Sequence, residues 1–123
     1  MASIIITSGP NKGDYYPLGQ RTNVLGRAET NPIQILDEKV SRKHLQIHFD
    51  QQNHQYHALD MKSRSGVFIN GKKIESETVL VDEDEIRLGE TNLLFTLKEF
   101  DDTESAMSHF KKVGERKRDT LMD

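Results

Sequence analysis

The sequence predicts an all-β fold, a β-sandwich of about eleven short strands followed by a short helix and a mobile tail. Three observations lead to this fold class. Segments rich in Ile, Val, Leu, Phe and Tyr recur about every ten residues, turn-forming residues separate them, and no helical pattern appears before residue 100. Short strands in regular succession, without helices between them, are typical of β-sandwiches.

The sequence predicts eleven short strands. They cover residues 3–7, 14–18, 23–26, 33–36, 45–50, 55–60, 67–69, 73–74, 78–81, 85–88 and 93–98. In the fifth of them apolar and polar residues alternate, so we expect Leu45, Ile47 and Phe49 to share the face that points into the core.

Turn residues mark the ends of these strands. Gly, Pro, Asn and Asp are concentrated at residues 8–13, 30–32, 50–53 and 89–92. Asn70 and Gly71 tolerate the positive φ angles of a two-residue turn, so this pair predicts a hairpin between the seventh and eighth strands. The acidic run at 82–85 lacks the alternating ligands and the glycine of a calcium loop, which favours a solvated turn.

The character of the chain changes after residue 100. Met107, Phe110 and Val113 recur at helical spacing behind an acidic capping pattern, and the last nine residues are mostly charged. We therefore expect a sandwich domain over residues 1–99 and a helical and flexible tail over 100–123. The apolar stripe of the helix is expected to pack on the sandwich or, more weakly, on a partner.

Composition excludes several classes of protein. The 123 residues suffice for one domain, and the absence of cysteine excludes disulfides and thiolate chemistry. Seventeen Lys and Arg against twenty Asp and Glu give a formal net charge of −3, which argues against a nucleic-acid partner. No apolar run is long enough to cross a bilayer and no secretory signal is visible, so we expect a soluble, cytoplasmic protein with no membrane partner.

Polar and cationic donors are concentrated in three predicted loops. The clusters are Gly26-Arg27, Ser41-Arg42-Lys43-His44 and Ser63-Arg64-Ser65-Gly66. A guanidinium group presents a planar fork that matches phosphate, and hydroxyl groups add short charge-assisted hydrogen bonds. Since no nucleophile is paired with a base, these residues predict an anion-binding pocket rather than a catalytic centre.

The order and spacing of these clusters resemble the forkhead-associated (FHA) domain, a phosphothreonine-recognition module built as an eleven-stranded β-sandwich. The resemblance extends from residue 3 to about residue 98 and includes the run at 60–71. It implies a module that is not an enzyme and needs no cofactor. Its implied partner is a protein or peptide that contains phosphothreonine.

The resemblance also implies roles for individual residues. Arg27 would bind the phosphate through its fork, and Ser41 would donate its hydroxyl to the same group. Arg42 would contact the phosphopeptide nearby, and Arg64 stands where the family often has a phosphate-contacting residue. These are the implied phosphate contacts.

Other residues would support the loops that carry those contacts. His44 would be buried, with its ring bonded to backbone so that the Ser41 loop keeps its shape. Gly26, Gly66 and the hairpin residues Asn70 and Gly71 would be structural.

Two positions bear on peptide recognition. Ser65 replaces the asparagine that usually bonds the peptide backbone, and Lys39 stands where the family faces the third residue after the phosphothreonine. Thr120 is followed at that spacing by Asp123. Phosphorylation of Thr120 would therefore give a ligand for the pocket of a second molecule, and self-association becomes an expectation.

The favoured function is a phosphothreonine-dependent signalling adaptor downstream of Ser/Thr kinases. A phosphate-independent scaffold with the same fold remains an alternative because Ser65 departs from the family, and a small hydrolase using His57 and Asp60 ranks third. His48, His54 and His57 lie on or near adjacent predicted strands, but no further ligand completes a tetrahedral set at a recognisable spacing. We therefore expect no metal site.

Overall fold

The computed structural model describes residues 2–98, 107–109 and 111, and it confirms the β-sandwich. Its strands are β1 (Ser3–Ile6), β2 (Tyr15–Pro17), β3 (Asn23–Gly26), β4 (Ile33–Gln34), β5 (Leu45–Asp50), β6 (Gln55–Asp60), β7 (Val67–Ile69), β8 (Lys72–Lys73), β9 (Thr78–Leu80), β10 (Glu85–Leu88) and β11 (Thr91–Thr96). No helix among the described residues is long and apolar enough to span a membrane.

Two sheets form the sandwich. One has six strands in the order β2-β1-β11-β10-β7-β8, and the other has five in the order β4-β3-β5-β6-β9. All pairs are antiparallel except β3 with β4. The register pairs Leu45 with both Leu25 and Asp60, so the end of β3, the start of β5 and the end of β6 meet at one end of the five-stranded sheet.

The core lies between the sheets and follows the alternation of the strands. Leu45 and Ile47 are fully buried, as predicted, and Phe49 packs against the same cluster while remaining partly exposed. Burial of side chains of this size contributes about 1.5–3 kcal/mol each to folding. The alternation of apolar and polar residues therefore determines which face of β5 points inward.

A smaller apolar cluster lies on the outer face of the six-stranded sheet. Ile5 and Leu94 are buried there against Tyr15 and Met107. Residues 107–109 are helical, so Met107 packs on the sandwich as the apolar stripe predicted. Phe110, Val113 and the predicted mobile tail lie outside the described residues, and the proposed boundary near residue 99 stays a prediction.

Several strands end one or two residues short of the sequence prediction, and two strands, β8 and β11, begin earlier than predicted because the turns before them are tighter. Gly89, at φ +58°, and Glu90 suffice to join β10 to β11, so the last strand begins at Thr91 rather than Leu93. In the predicted hairpin both turn residues have positive φ, +51° for Asn70 and +83° for Gly71. This two-residue turn pairs Lys72 directly with Ile69, which starts β8 one residue earlier than predicted.

The acidic run at 82–85 is not a solvated turn throughout, and that prediction was wrong for Asp84. Only 5% of Asp84 is exposed; its carboxylate accepts hydrogen bonds from Asn70 Nδ2 at 2.8 Å and from Val81 N at 2.9 Å. Asn70 Oδ1 in turn accepts from Glu85 N at 3.0 Å. The hairpin asparagine thus ties its turn to the start of β10, a partner that local spacing did not reveal.

Candidate functional site

The loops at one end of the sandwich bring the predicted donors together. A cavity of about 220 Å³ opens there, lined by Arg27, Glu38, Val40, Ser41, Arg42 and Arg64. Three arginines and one glutamate are among its lining residues, so positive side chains outnumber negative ones there. The sequence placed all three arginines and Ser41 in this site; it did not single out Glu38 or Val40.

Gly26 allows the first two loops to approach each other. Arg27 N donates to Ser41 O at 3.0 Å, and Ala28 N donates to Arg42 O at 3.2 Å. A Cβ on Gly26 would lie 2.2 Å from Arg42 O, which is far inside contact distance. The end of β3 can therefore bond to the Ser41 loop only because residue 26 has no side chain.

The hydroxyl of Ser41 joins this loop to the next one. Its Oγ accepts a hydrogen bond from Arg64 N at 2.9 Å. A hydroxyl has one proton to donate besides its lone pairs, and no described residue accepts that proton. Ser41 can therefore donate to a ligand in the cavity while its oxygen is held in place by backbone.

His44 connects the same two loops from beneath. Its ring is fully buried; Nδ1 accepts from Ser41 N at 3.0 Å, and Nε2 lies 2.7 Å from Gly66 O. Because a backbone N–H can only donate, Nδ1 must be the acceptor, and the proton sits on Nε2, which donates to Gly66. The predicted burial and backbone bonding of His44 agree with this geometry.

Local turn chemistry shapes the loop that carries Arg64. Ser63 N donates to Asp60 Oδ1 at 3.0 Å, and Gly66 N donates to Ser63 Oγ at 3.0 Å. Gly66 has φ +86°, a conformation that favours glycine. These bonds fix the backbone on both sides of Arg64, whose side chain is exposed at the cavity.

The other two arginines are held at their bases. Arg27 Nε donates to Val40 O at 3.2 Å, which orients the stem and leaves the terminal guanidinium nitrogens at the exposed end. The carbonyl of Arg42 accepts from Asn31 Nδ2 at 2.6 Å, while its side chain is exposed. The Nε bond restricts the rotamers of Arg27 before an anion binds, whereas the bond to Arg42 fixes only its backbone.

Two residues predicted to contact a peptide are engaged elsewhere. Lys39 Nζ forms an exposed ion pair with Glu90 Oε1 at 2.8 Å, and this hydrogen bond raises the pKa of Lys39. Ser65 Oγ donates to the carbonyl of Lys39 at 3.2 Å. Neither residue lines the 220 Å³ cavity. Asn70 and Gly71 also lie outside it, in the hairpin.

Sequence reasoning missed Asp37, which anchors the loop before Ser41. This carboxylate is 6% exposed and accepts hydrogen bonds from Lys39 N at 2.9 Å, Glu90 N at 2.8 Å and the Thr91 hydroxyl at 2.9 Å. Burial acts most strongly and raises the pKa of Asp37, but the three hydrogen bonds and the charge of Lys39 together outweigh it, so the pKa lies below its ordinary value. The bond to Lys39 N is an Asx turn, a signal that the sequence offered.

The fold and the loops at this end of the sandwich define a class of protein. It is a β-sandwich whose loops place arginines and a serine around a cavity large enough for an anion. The chain belongs to the FHA domain family, whose model matches residues 23–89. It therefore has the phosphothreonine-binding fold of that family.

Known relatives agree with this assignment. The chain is 33% identical over 94 residues to the oxoglutarate dehydrogenase inhibitor of Corynebacterium jeikeium. This match covers 76% of this chain and 63% of the relative. It is 31% identical over 94 residues to the glycogen accumulation regulator GarA of Mycobacterium tuberculosis, covering 76% of this chain and 56% of that protein. The chain thus matches little more than half the length of these curated relatives.

A solved structure shows the same architecture. An FHA domain from a structural and functional analysis of phosphothreonine-dependent FHA domain interactions superposes with a TM-score of 0.71 and 28% identity. The superposition covers 80% of this chain and 98% of that one.

Proposed function

We propose that this chain binds phosphothreonine peptides on partner proteins and acts as a non-catalytic signalling adaptor downstream of Ser/Thr kinases. One observation carries the proposal: Arg27, Arg42 and Arg64 line the same cavity as Ser41. A phosphothreonine brings about −1.5 to −2 charges and three acceptor oxygens at neutral pH, which this set of donors can satisfy.

Each residue then has a chemical role. Arg27 and Arg64 bind phosphate oxygens through their guanidinium forks, and Ser41 donates its free proton to a further oxygen. Arg42 adds a further positive charge to the lining of the cavity. Gly26, His44 and Gly66 hold these donors at fixed separations through the backbone contacts between the loops.

The names of the relatives are consistent with regulation by binding. One is an inhibitor of oxoglutarate dehydrogenase and another a regulator of glycogen accumulation. Both names describe control of another protein or process rather than a reaction. From these names we transfer to this chain only the class of protein, which is a regulatory binding module.

The direct test is a titration with an oriented phosphothreonine peptide library and with the same library carrying unmodified threonine. We expect saturable binding of the phosphorylated library alone. Arg27→Ala should weaken binding at least about 30-fold, since removing one partner of a desolvated charge pair costs about 2–5 kcal/mol. Arg21→Ala is the matched control, because Arg21 is an exposed arginine in the loop before β3, at the opposite end of that strand.

The phosphate-independent scaffold is the second candidate, and Ser65 favours it. Its hydroxyl is bonded to Lys39 O and is shorter than the amide usual in the family, so it offers no donor to a peptide backbone. Equal binding of both libraries, unchanged by Arg27→Ala, would support the scaffold and contradict the phosphothreonine proposal.

Self-association through phosphorylated Thr120 is a finer part of the proposal. Thr120 and Asp123 lie outside the described residues, and Lys39, the proposed partner of Asp123, is paired with Glu90. A peptide of residues 115–123 phosphorylated at Thr120 should bind the Thr120→Ala chain, and Lys39→Glu should weaken that binding. Absence of binding at high micromolar concentration, or no effect of Lys39→Glu, would contradict self-association through phosphorylated Thr120.

A further inference from the structure

The outer face of the five-stranded sheet carries a cluster that the binding function does not use. His48 on β5 is paired in register with His57 on β6, and their rings stack with centroids 5.1 Å apart. Glu77, directly before β9, reaches the same place. Its Oε1 lies 2.5 Å from His48 Nε2, and its Oε2 lies 4.0 Å from His57 Nδ1.

The second nitrogen of His57 supplies an independent indication of a ligand. Its Nε2 atom is shielded from solvent and makes no hydrogen bond to any described residue. Asp50 Oδ2 lies 3.6 Å away, just beyond hydrogen-bond distance. A histidine that binds a metal through one nitrogen usually directs the other N–H to a carboxylate, which orients the ring. Ligation through Nδ1 of His57 would produce that arrangement with Asp50.

We propose that His48, His57 and Glu77 form a Zn²⁺ site on this face, with Asp50 orienting His57. The ligand atoms already lie within 4.8 Å of one another. Tetrahedral Zn²⁺ with bonds of about 2.0–2.1 Å places its ligand atoms about 3.4 Å apart. Binding requires these atoms to move closer together, which the exposed side chain of Glu77 and the partly exposed ring of His48 permit. Water fills the fourth position.

The donor types select the metal. Two imidazole nitrogens and one carboxylate oxygen suit Zn²⁺, whereas Mg²⁺ and Ca²⁺ prefer sites made of oxygen ligands alone. The sequence alone does not indicate a metal site, because no third ligand stands at a recognisable spacing from the histidines. Glu77 lies 29 residues from His48 along the chain, and pairing of β6 with β9 brings it there.

The site has a structural consequence. β9 is a three-residue strand at the edge of its sheet. A metal ion held by Glu77 and both histidines would fasten the start of β9 to β5 and β6. Because the ligands converge only in the folded chain, bound Zn²⁺ stabilises the native state by mass action.

The test is thermal unfolding of the untagged, chelator-treated chain with and without a tenfold molar excess of ZnCl₂. We expect Zn²⁺ to raise the melting temperature by about 5 °C or more, with one ion bound per chain, and EDTA to reverse the shift. MgCl₂ should have no such effect.

Variants locate the site. Glu77→Gln and His57→Gln should abolish most of the Zn²⁺-dependent shift. His54→Asn removes an exposed histidine outside the cluster and should leave the shift intact; Asn also tolerates the positive φ of +53° at that position. No shift in the unmodified chain, or an equal shift in Glu77→Gln, would overturn the proposal.

Discussion

The Ser41 hydroxyl oxygen accepts a hydrogen bond from the backbone N–H of Arg64 at 2.9 Å, across 23 residues of sequence. The bond makes the orientation of one proposed phosphate donor depend on the backbone position of another. The bond uses a lone pair of the hydroxyl oxygen and leaves the hydroxyl proton available for a ligand. The two loops therefore present a single preorganised surface to an anion.

Replacing Ser41 tests that relationship. Ser41→Ala should weaken phosphothreonine peptide binding at least about tenfold, because a hydrogen bond to a charged group contributes about 1.5–3 kcal/mol. Ser65→Ala is the matched control: its hydroxyl is bonded to Lys39 O, so affinity should change less than about threefold. Isothermal titration calorimetry measures both. A larger loss in Ser65→Ala than in Ser41→Ala would contradict the assignment.

Removing the buried histidine should affect stability as well as binding. His44→Ala leaves Ser41 N and Gly66 O without partners inside the protein, and each unsatisfied buried group costs about 1–3 kcal/mol. We expect the melting temperature to fall by about 8 °C or more. His54→Asn, at an exposed position, should melt close to the unmodified chain. Normal melting of His44→Ala with lost binding would instead indicate direct ligand contact.

The close approach at Gly26 predicts a severe effect from one added methyl group. In Gly26→Ala the new Cβ would clash with Arg42 O, so β3 and the Ser41 loop must separate. We expect more than about 3 kcal/mol of destabilisation in urea unfolding. Gly71→Ala meets no atom within 4 Å but has φ +83°, so only the left-handed penalty of about 1–2 kcal/mol applies. Similar losses in both variants would contradict this explanation.

Asp37 should make the free energy of unfolding depend on pH. Its pKa is lower in the folded chain than in the unfolded one. Its contribution is therefore complete above the unfolded pKa of about 3.9 and disappears as the pH falls through the folded pKa. Asp37→Asn should lower the free energy of unfolding at pH 7, and this difference should narrow below about pH 4. Urea unfolding at both values measures it, and a constant difference would exclude this role.

The ligand itself should impart a second pH dependence. The second phosphate pKa of phosphothreonine is near 6, so the ligand loses a charge below that value. Binding should therefore be weaker at about pH 5.5 than at about pH 7.5. Calorimetry in two buffers at equal ionic strength measures the difference. Equal affinity would count against recognition of the dianion.

The local pattern of residues predicted where the strands lie, though not every strand end, and which side-chain chemistry the candidate site offers. Strand positions followed from apolar alternation and turn residues, because both act over a few neighbouring residues. Asn70 and Gly71 determined a turn through their own φ preferences. The donor types of Arg27, Ser41 and Arg64 were likewise apparent from side-chain chemistry alone.

Only the tertiary structure decided which polar groups meet. Asp37 bonds to Thr91, 54 residues away, and Glu77 meets His48 across 29 residues. The local sequence indicates an Asx turn at Asp37, but no local preference indicates its distant partners or those of Glu77 and Asp84. Their partners are set by sheet pairing and loop packing, because a buried carboxylate is stable only where folding supplies donors to replace water.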